Sequence, residues 1–272
     1  MLIERKGFNL NTVVDNFNLF YDDLGESNIP IIFLHGFPFD KSMWQAQLDF
    51  FKPSNRVIAC DIRGFGKSKD EKSHLSIDLF TEDLIKFMNH LSIDKAILCG
   101  LSMGGYIALN AMKKFPERFE ALILCDTQCI ADTVDIKEKR YKLIDQILVQ
   151  GATKFNDAFI KSVFHADSLS NKKEMVDSLS TVVKSNSQHI ITMGLMALAE
   201  RSETCSILPK ITVPTLIICG HEDKVTPLVQ SEFMNEHIKG SILKIIESAG
   251  HVSNLEQPVE FNKNIHDFMM TL

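Results

Sequence analysis

The chain has 272 residues, 45% of them hydrophobic, and a formal net charge of −6. That length holds one or two domains and buries a sizeable core without disulfide or metal staples. An acidic balance with no run of basic residues excludes a nucleic-acid partner and argues against docking on an anionic membrane surface, and no stretch reaches the roughly 18 apolar residues of a membrane helix.

The first ten residues carry Glu4, Arg5 and Lys6 and lack the apolar stretch of a secretory signal. Residues 17–22 read as an antiparallel strand preceding the main sheet. Short apolar runs at 31–34, 56–60, 95–99, 121–125, 215–219 and 242–246 read as strands buried on both faces. Helical patterns alternate with them. Residues 76–91 carry Ile77, Phe80, Leu84, Phe87, Met88 and Leu91 in helical register, residues 104–115 follow the third apolar run, and residues 258–270 open on Pro258, which suits a first helical turn. Strands alternating with helices predict an α/β fold with a mostly parallel sheet covered on both faces.

The alternation breaks between about residues 127 and 209. There, Tyr141, Leu143, Ile144, Ile147 and Leu148, and later Ile190, Met193, Leu195, Met196 and Leu198, repeat at helical spacing. A segment this long is not a bare loop in a compact domain. The expected organisation is a core of residues 1–127 and 209–272 with a helical cap over 128–208, lying on the edge of the sheet where strands end. Of the six cysteines, Cys60, Cys99, Cys125 and Cys219 fall in strand runs, and the spacing matches neither a disulfide framework nor a zinc set. Free buried thiols in a reducing cytoplasm are therefore expected.

The sharpest chemical signal is Gly100-Leu101-Ser102-Met103-Gly104, directly after a strand and at the start of a helix. A turn this tight needs small residues two before and two after the serine, and it lifts the hydroxyl above a helix N-terminus. A serine hydroxyl is a weak nucleophile until a base takes its proton. Among nine histidines, His251 follows Gly250 in a loop that returns to the same sheet edge. His90 and His266 sit on helices and His35 shapes the loop after the first apolar run. An acid must then orient His251. Asp223, in the loop after residues 215–219, is the first choice, with Asp126 and Glu222 as rivals. Backbone donors for a developing oxyanion are expected at Met103 and Phe37. Trp44, Phe155, Phe159, Met193 and Met196 are candidates for an apolar substrate pocket.

His35-Gly36-Phe37-Pro38, Asp61-Ile62-Arg63-Gly64-Phe65-Gly66-Lys67-Ser68, the Ser102 motif, Gly220-His221-Glu222-Asp223 and Gly250-His251 together resemble the α/β-hydrolase superfamily. The likeness is nearest to the bacterial group of enol-lactonases, carboxylesterases and cofactor-free haloperoxidases. It implies a serine hydrolase with a Ser-His-Asp triad and a helical cap, needing no metal and no organic cofactor. It assigns Asp61 and Arg63 to holding a loop near the site. From the apolar candidates for the pocket, the expected substrate is a small to medium, uncharged carboxylic ester or lactone. A dicarboxylate lactone would want a cationic anchor, and Arg140 and Arg201 lie in the insertion without sequence alone placing them. Two alternatives stay open: a small-molecule receptor on the same scaffold, and peracid formation, for which Pro38 after Phe37 is the pointer.

Overall fold

In the computed structural model, which describes residues 6–272, the apolar runs become the centre of a sheet. Residues 1–5, half of the segment expected to lack a secretory signal, lie outside the described residues. β3 (Ile31–Leu34), β4 (Val57–Cys60), β5 (Ala96–Leu101) and β7 (Thr215–Gly220) are buried along their whole length, and β6 (Phe119–Cys125) is buried but for Glu120. Side chains alternate between the two faces along a strand. Ile32 and Leu34 of β3 accordingly join one core with Phe80, Leu84 and Ile107, while Ile31 and Phe33 join a second with Trp44, Leu48 and Phe261.

With β1 (Gly7–Val14), β2 (Phe17–Leu24) and β8 (Ile242–Ile246), the eight-stranded sheet runs β1-β2-β4-β3-β5-β6-β7-β8. The β1–β2 and β2–β4 pairs are antiparallel, and the remaining pairs are parallel. Helices α1 (Gln45–Phe51), α2 (Ile77–His90), α3 (Met103–Lys114), α9 (Leu228–His237), α10 (Ser253–Glu256) and α11 (Pro258–Met269) belong to the same unit. Ser76 starts α2 by accepting the Leu79 N–H at 3.1 Å.

Two strands depart from the sequence expectation. β1 was not anticipated, because Asn9, Asn11 and Thr12 interrupt its apolar pattern; it is an edge strand that needs only one neighbour. β8 was expected to be buried on both faces, yet it is the opposite edge and only Ile246 is fully covered. An apolar run does not by itself separate a central strand from an edge strand.

Between β6 and β7 the chain forms α4 (Val134–Gln150), α5 (Thr153–Val163), α6 (Ala166–Asn171), α7 (Lys173–Lys184) and α8 (Gln188–Glu200), with α4 against α8 and α5 against α7. The expectation that all cysteines are free fails here. Cys129 and Cys205, 76 residues apart, form a disulfide, while Cys60, Cys99, Cys125 and Cys219 are free and buried. The physical reason is topological. The two ends of the helical segment leave and re-enter the sheet side by side, with Thr204 N–H donating to the Cys129 carbonyl at 2.8 Å. Sequence spacing carries no trace of that meeting. Among the described residues no helix is long and apolar enough to cross a membrane.

Candidate active site

β5 ends in the turn that carries Ser102. The backbone there has φ 55° and ψ −114°, a left-handed conformation that a non-glycine residue adopts only under constraint. The constraint is crowding. A Cβ on Gly100 would stand 2.2 Å from the Gly104 carbonyl oxygen, and one on Gly104 would stand 2.2 Å from that of Leu34. Only glycine lets α3 start this close to β5 and β3. α3 begins at Met103 with no side-chain cap, so its first amides have no partner inside the helix.

Three loops bring the other groups to Ser102. After β8, His251 accepts the Ser102 Oγ–H at Nε2, 2.8 Å away. Its Nδ1–H donates to Asp223 Oδ2, also at 2.8 Å. Asp223 follows β7 and is itself held: Oδ1 accepts the N–H groups of Val225 (2.8 Å) and Thr226 (3.0 Å), and Oδ2 accepts the Thr226 hydroxyl at 2.7 Å. Burial alone would raise the Asp223 pKa, but His251 and these donors hold it below the ordinary carboxylate value. Burial alone would lower that of His251, but the Asp223 carboxylate raises it above the ordinary imidazole value. After β3, the third loop carries His35 to Phe39. A Cβ on Gly36 would lie 3.2 Å from Ser102 Cβ, so this loop passes close to the nucleophile turn.

The rivals are occupied elsewhere. Asp126 is fully buried and does not touch His251; it accepts the Gly220 N–H at 2.8 Å and shares a 2.6 Å hydrogen bond with the Ser253 hydroxyl. Burial, with the negative charge of Asp223 added, pushes its pKa up to about 8, so it is mostly neutral at pH 7. Glu222 pairs with His165 at 2.7 Å. The His35 ring accepts the Ile62 N–H at 2.9 Å and donates to Gly36, and burial drives its pKa down to about 4, leaving it a neutral strut. His90 and His266 are exposed on helices. Asp61 accepts the amides of Lys41 and Lys67, and Arg63 is clamped by Asp83 and Asp70, so both brace the loop beyond β4. Asp126, Cys219 and Asp223 place ligand atoms within 4.8 Å of one another, close enough to hold a metal ion. Burial keeps the Cys219 thiol well above its ordinary pKa, and both carboxylates are already hydrogen-bonded, so the trio behaves as a closed core.

A cavity of about 200 Å³ opens onto Ser102 and His251. Of the residues expected to line it, Phe155 and Phe159 do, stacked at 5.7 Å, and Phe37, expected as a backbone donor, lines it as well. Trp44 does not. It is fully buried 5.0 Å from Phe33 and 6.1 Å from Phe261, in the core on the other face of the sheet from α3. Met193 and Met196 also miss the cavity and pack on the core, because the inward edge of α8 is formed by Leu195 and Leu198. Sequence reasoning missed Tyr106, Gln128 and Val225 and left Arg140 unplaced; all four line the cavity. Tyr106 was findable, since four residues past Ser102 on a helix is the same face. A larger cavity of about 460 Å³ lies beyond Tyr106 and Gln128 and does not reach Ser102.

A family model described as the alpha/beta hydrolase fold matches residues 29–258. A 3-oxoadipate enol-lactonase from Acinetobacter baylyi is 32% identical over 250 residues, covering 92% of this chain and 92% of the relative. Among solved structures, a thermophilic esterase from Thermogutta terrifontis, with malate bound, superposes with a TM-score of 0.90 at 29% identity, covering 99% of each chain. An enol-lactonase from Burkholderia xenovorans superposes with a TM-score of 0.89 at 25% identity, covering 96% of this chain and 100% of the other.

Proposed function

The chain belongs to the alpha/beta hydrolase fold family, and from that premise we propose that it is a serine hydrolase of small to medium carboxylic esters or lactones. The carrying observation is the unbroken relay from Ser102 through His251 to Asp223, two hydrogen bonds of 2.8 Å among buried groups at the floor of a cavity. The enol-lactonase and esterase names among its relatives support the same bond type.

Ser102 Oγ attacks the carbonyl carbon as its proton passes to His251 Nε2. The oxyanion is met by the Met103 and Phe37 amides. The carbonyl re-forms as the C–O bond to the leaving oxygen breaks, and that oxygen takes the proton from His251. In an open ester the alcohol departs; in a lactone the leaving oxygen stays tethered to the acyl chain. Water then attacks the acyl-serine, gives a proton to His251, and the acid leaves as Ser102 recovers it. Ester and water become acid and alcohol. Asp223 stays ionised throughout and balances the imidazolium. No metal or organic cofactor enters. Residues 128–208 serve as the cap, supplying Phe155 and Phe159 to the cavity roof.

A panel of chromogenic esters and lactones of graded acyl length, run beside a fluorophosphonate label, tests this reading. Turnover of at least one series, abolished by the label, is expected. Tight binding of such molecules without turnover would favour the receptor alternative, and unlabelled protein would remove the serine mechanism.

A further inference from the structure

The larger cavity, of about 460 Å³, lies where the helical segment joins the core, and its size is that of a small-molecule site. One wall is a face of α3, on which Tyr106, Asn110, Lys113 and Lys114 recur at helical spacing. A second wall is the first turn of α2. The rest comes from the two ends of the inserted segment, residues 128–130 leaving the sheet and residues 200–202 and 204 returning to it. The hydrolytic mechanism uses none of this space.

The polar groups here are weighted toward donors. Asp78 accepts Asn110 Nδ2 at 3.0 Å and pairs with Lys114, so its carboxylate is turned to α3 and already balanced. Lys113, exposed beside it, makes no direct ion pair among the described residues. Arg201 is buried. Its terminal nitrogens go to Asp132, at 2.8 Å, and to the Leu198 and Ile130 carbonyls, and Asp132 is shared with Arg140. Its Nε is buried too and has no hydrogen-bond partner. An unpaired N–H on a buried cation is destabilising until an acceptor reaches it.

The start of α2 adds to this set. Ser76 Oγ takes the Leu79 N–H at 3.1 Å and its carbonyl takes the Phe80 N–H at 3.0 Å. The Ile77 and Asp78 amides are left without a partner, and the Ser76 hydroxyl keeps its own proton to donate. A helix start favours anions, and this one faces Lys113 and Arg201 across a single cavity. Donors arriving from three elements suit a tetrahedral oxyanion better than a planar carboxylate. Glu200, which meets His74 through one oxygen at 3.3 Å, and the Gln128 side-chain carbonyl remain as acceptors for hydroxyl groups.

We propose that this cavity is a second binding site, for a small hydroxylated phosphate monoester, seated between the start of α2 and the two ends of the inserted segment. Tyr106 and Gln128 form the partition between it and the cavity over Ser102. No residue of the Ser102 relay lines it, so the site stands whether or not the chain is a serine hydrolase. A ligand there touches both ends of the segment and both core helices at once, and by mass action it stabilises the folded chain.

The test titrates the full chain with glycerol 3-phosphate, inorganic phosphate, glycerate and glycerol by calorimetry at low ionic strength, beside thermal melts. Glycerol 3-phosphate should bind at one site per chain with a Kd of about 1 mM or tighter and raise the melting temperature. Inorganic phosphate and glycerate should each bind several-fold more weakly, and glycerol not at all. Lys113→Gln and Ser202→Asp alter exposed side chains and should melt as the wild type does without ligand. The first should weaken glycerol 3-phosphate by about tenfold, as for a lost charged contact, and the second, which sets a negative charge in the site, by at least as much. Ser102→Ala should bind it with unchanged affinity. No saturable binding of glycerol 3-phosphate, or the same affinity in both site variants as in the wild type, would overturn the site. Glycerate or inorganic phosphate binding as tightly as glycerol 3-phosphate would overturn the ligand class.

Discussion

Asp223 and Asp126 are two buried carboxylates near one histidine, and their surroundings drive them apart. Asp223 faces His251 and three other donors and stays ionised. Asp126 has no cation in contact and is pushed up to about 8 by burial. Asp223→Asn should therefore lower kcat on the order of 10³- to 10⁴-fold, by removing the partner of the imidazolium and favouring the wrong tautomer. It should also move the acid limb of the pH–rate profile to lower pH, because Asp223 is what raises His251. Steady-state kinetics across pH check both. Asp126→Asn should cost far less activity and show itself in stability. Unfolded, an aspartate ionises near pH ~4; folded, Asp126 keeps its proton to about pH 8. In that window unfolding releases a proton, so stability falls as pH rises and levels off above the folded pKa. The asparagine variant lacks this slope, which melting temperatures from pH 4 to 9 would reveal. The meeting of Ser102, His251 and Asp223 was legible because each follows a strand run and carries its turn residues with it. The neutral state of Asp126 was not, since it comes from burial and from the charge of Asp223 in a distant loop, against which the Gly220 and Ser253 donors pull only in part.

At the scale of elements, the turn between α5 and α6 is wedged between the loops that carry Asp223 and His251. The His251 N–H donates to the Val163 carbonyl at 2.8 Å, and the His165 ring bonds Glu222, the neighbour of Asp223. Glu256 of α10, fully buried, closes the joint: Oε1 accepts the Gly250 N–H at 2.6 Å and Oε2 the His165 N–H at 2.9 Å. Glu256→Gln must turn an amide N–H₂ toward one of those donors. The variant should lose about 1–3 kcal/mol of stability, the cost of an unsatisfied buried group, and part of its kcat as the His251 loop loosens. Denaturant melts beside steady-state rates measure both, and an unchanged stability would mean the joint is not what holds that loop. None of this was readable beforehand. Helical periodicity located α4 and α8, but a wedge between loops is made of backbone carbonyls and one carboxylate, which no period records. The same limit misplaced Trp44: an aromatic after the Phe37 loop suits a pocket wall or a core equally, and the contacts with Phe33 and Phe261 decided it.

Across the whole molecule, the parallel centre of the sheet was plain from uninterrupted apolar runs, and the helical segment from their absence. Its tether was hidden. Cys129–Cys205 joins the two ends of that segment, and a cross-link over 76 residues stabilises chiefly by restricting the unfolded chain. Reduction, or serine at both positions, should lower stability by about 2–4 kcal/mol while sparing the Ser102 relay; free-thiol counting with and without denaturant establishes the bond. The fold as a whole converges on one atom. In the proposed mechanism, β5 supplies the strained turn, the loops after β7 and β8 the acid and the base, the loop after β3 the second amide, and the helical segment the cavity roof. The most direct measurement is Ser102→Ala, assayed for ester turnover and for fluorophosphonate adducts by intact mass. Ser102→Ala should lose turnover by about 10⁴-fold or more, as when a triad acts as a unit, keep its melting temperature, and lack the single adduct that forms on Ser102 in the wild type. Turnover near the wild-type level in the variant, or an adduct that persists in it, would show that Ser102 is not the nucleophile.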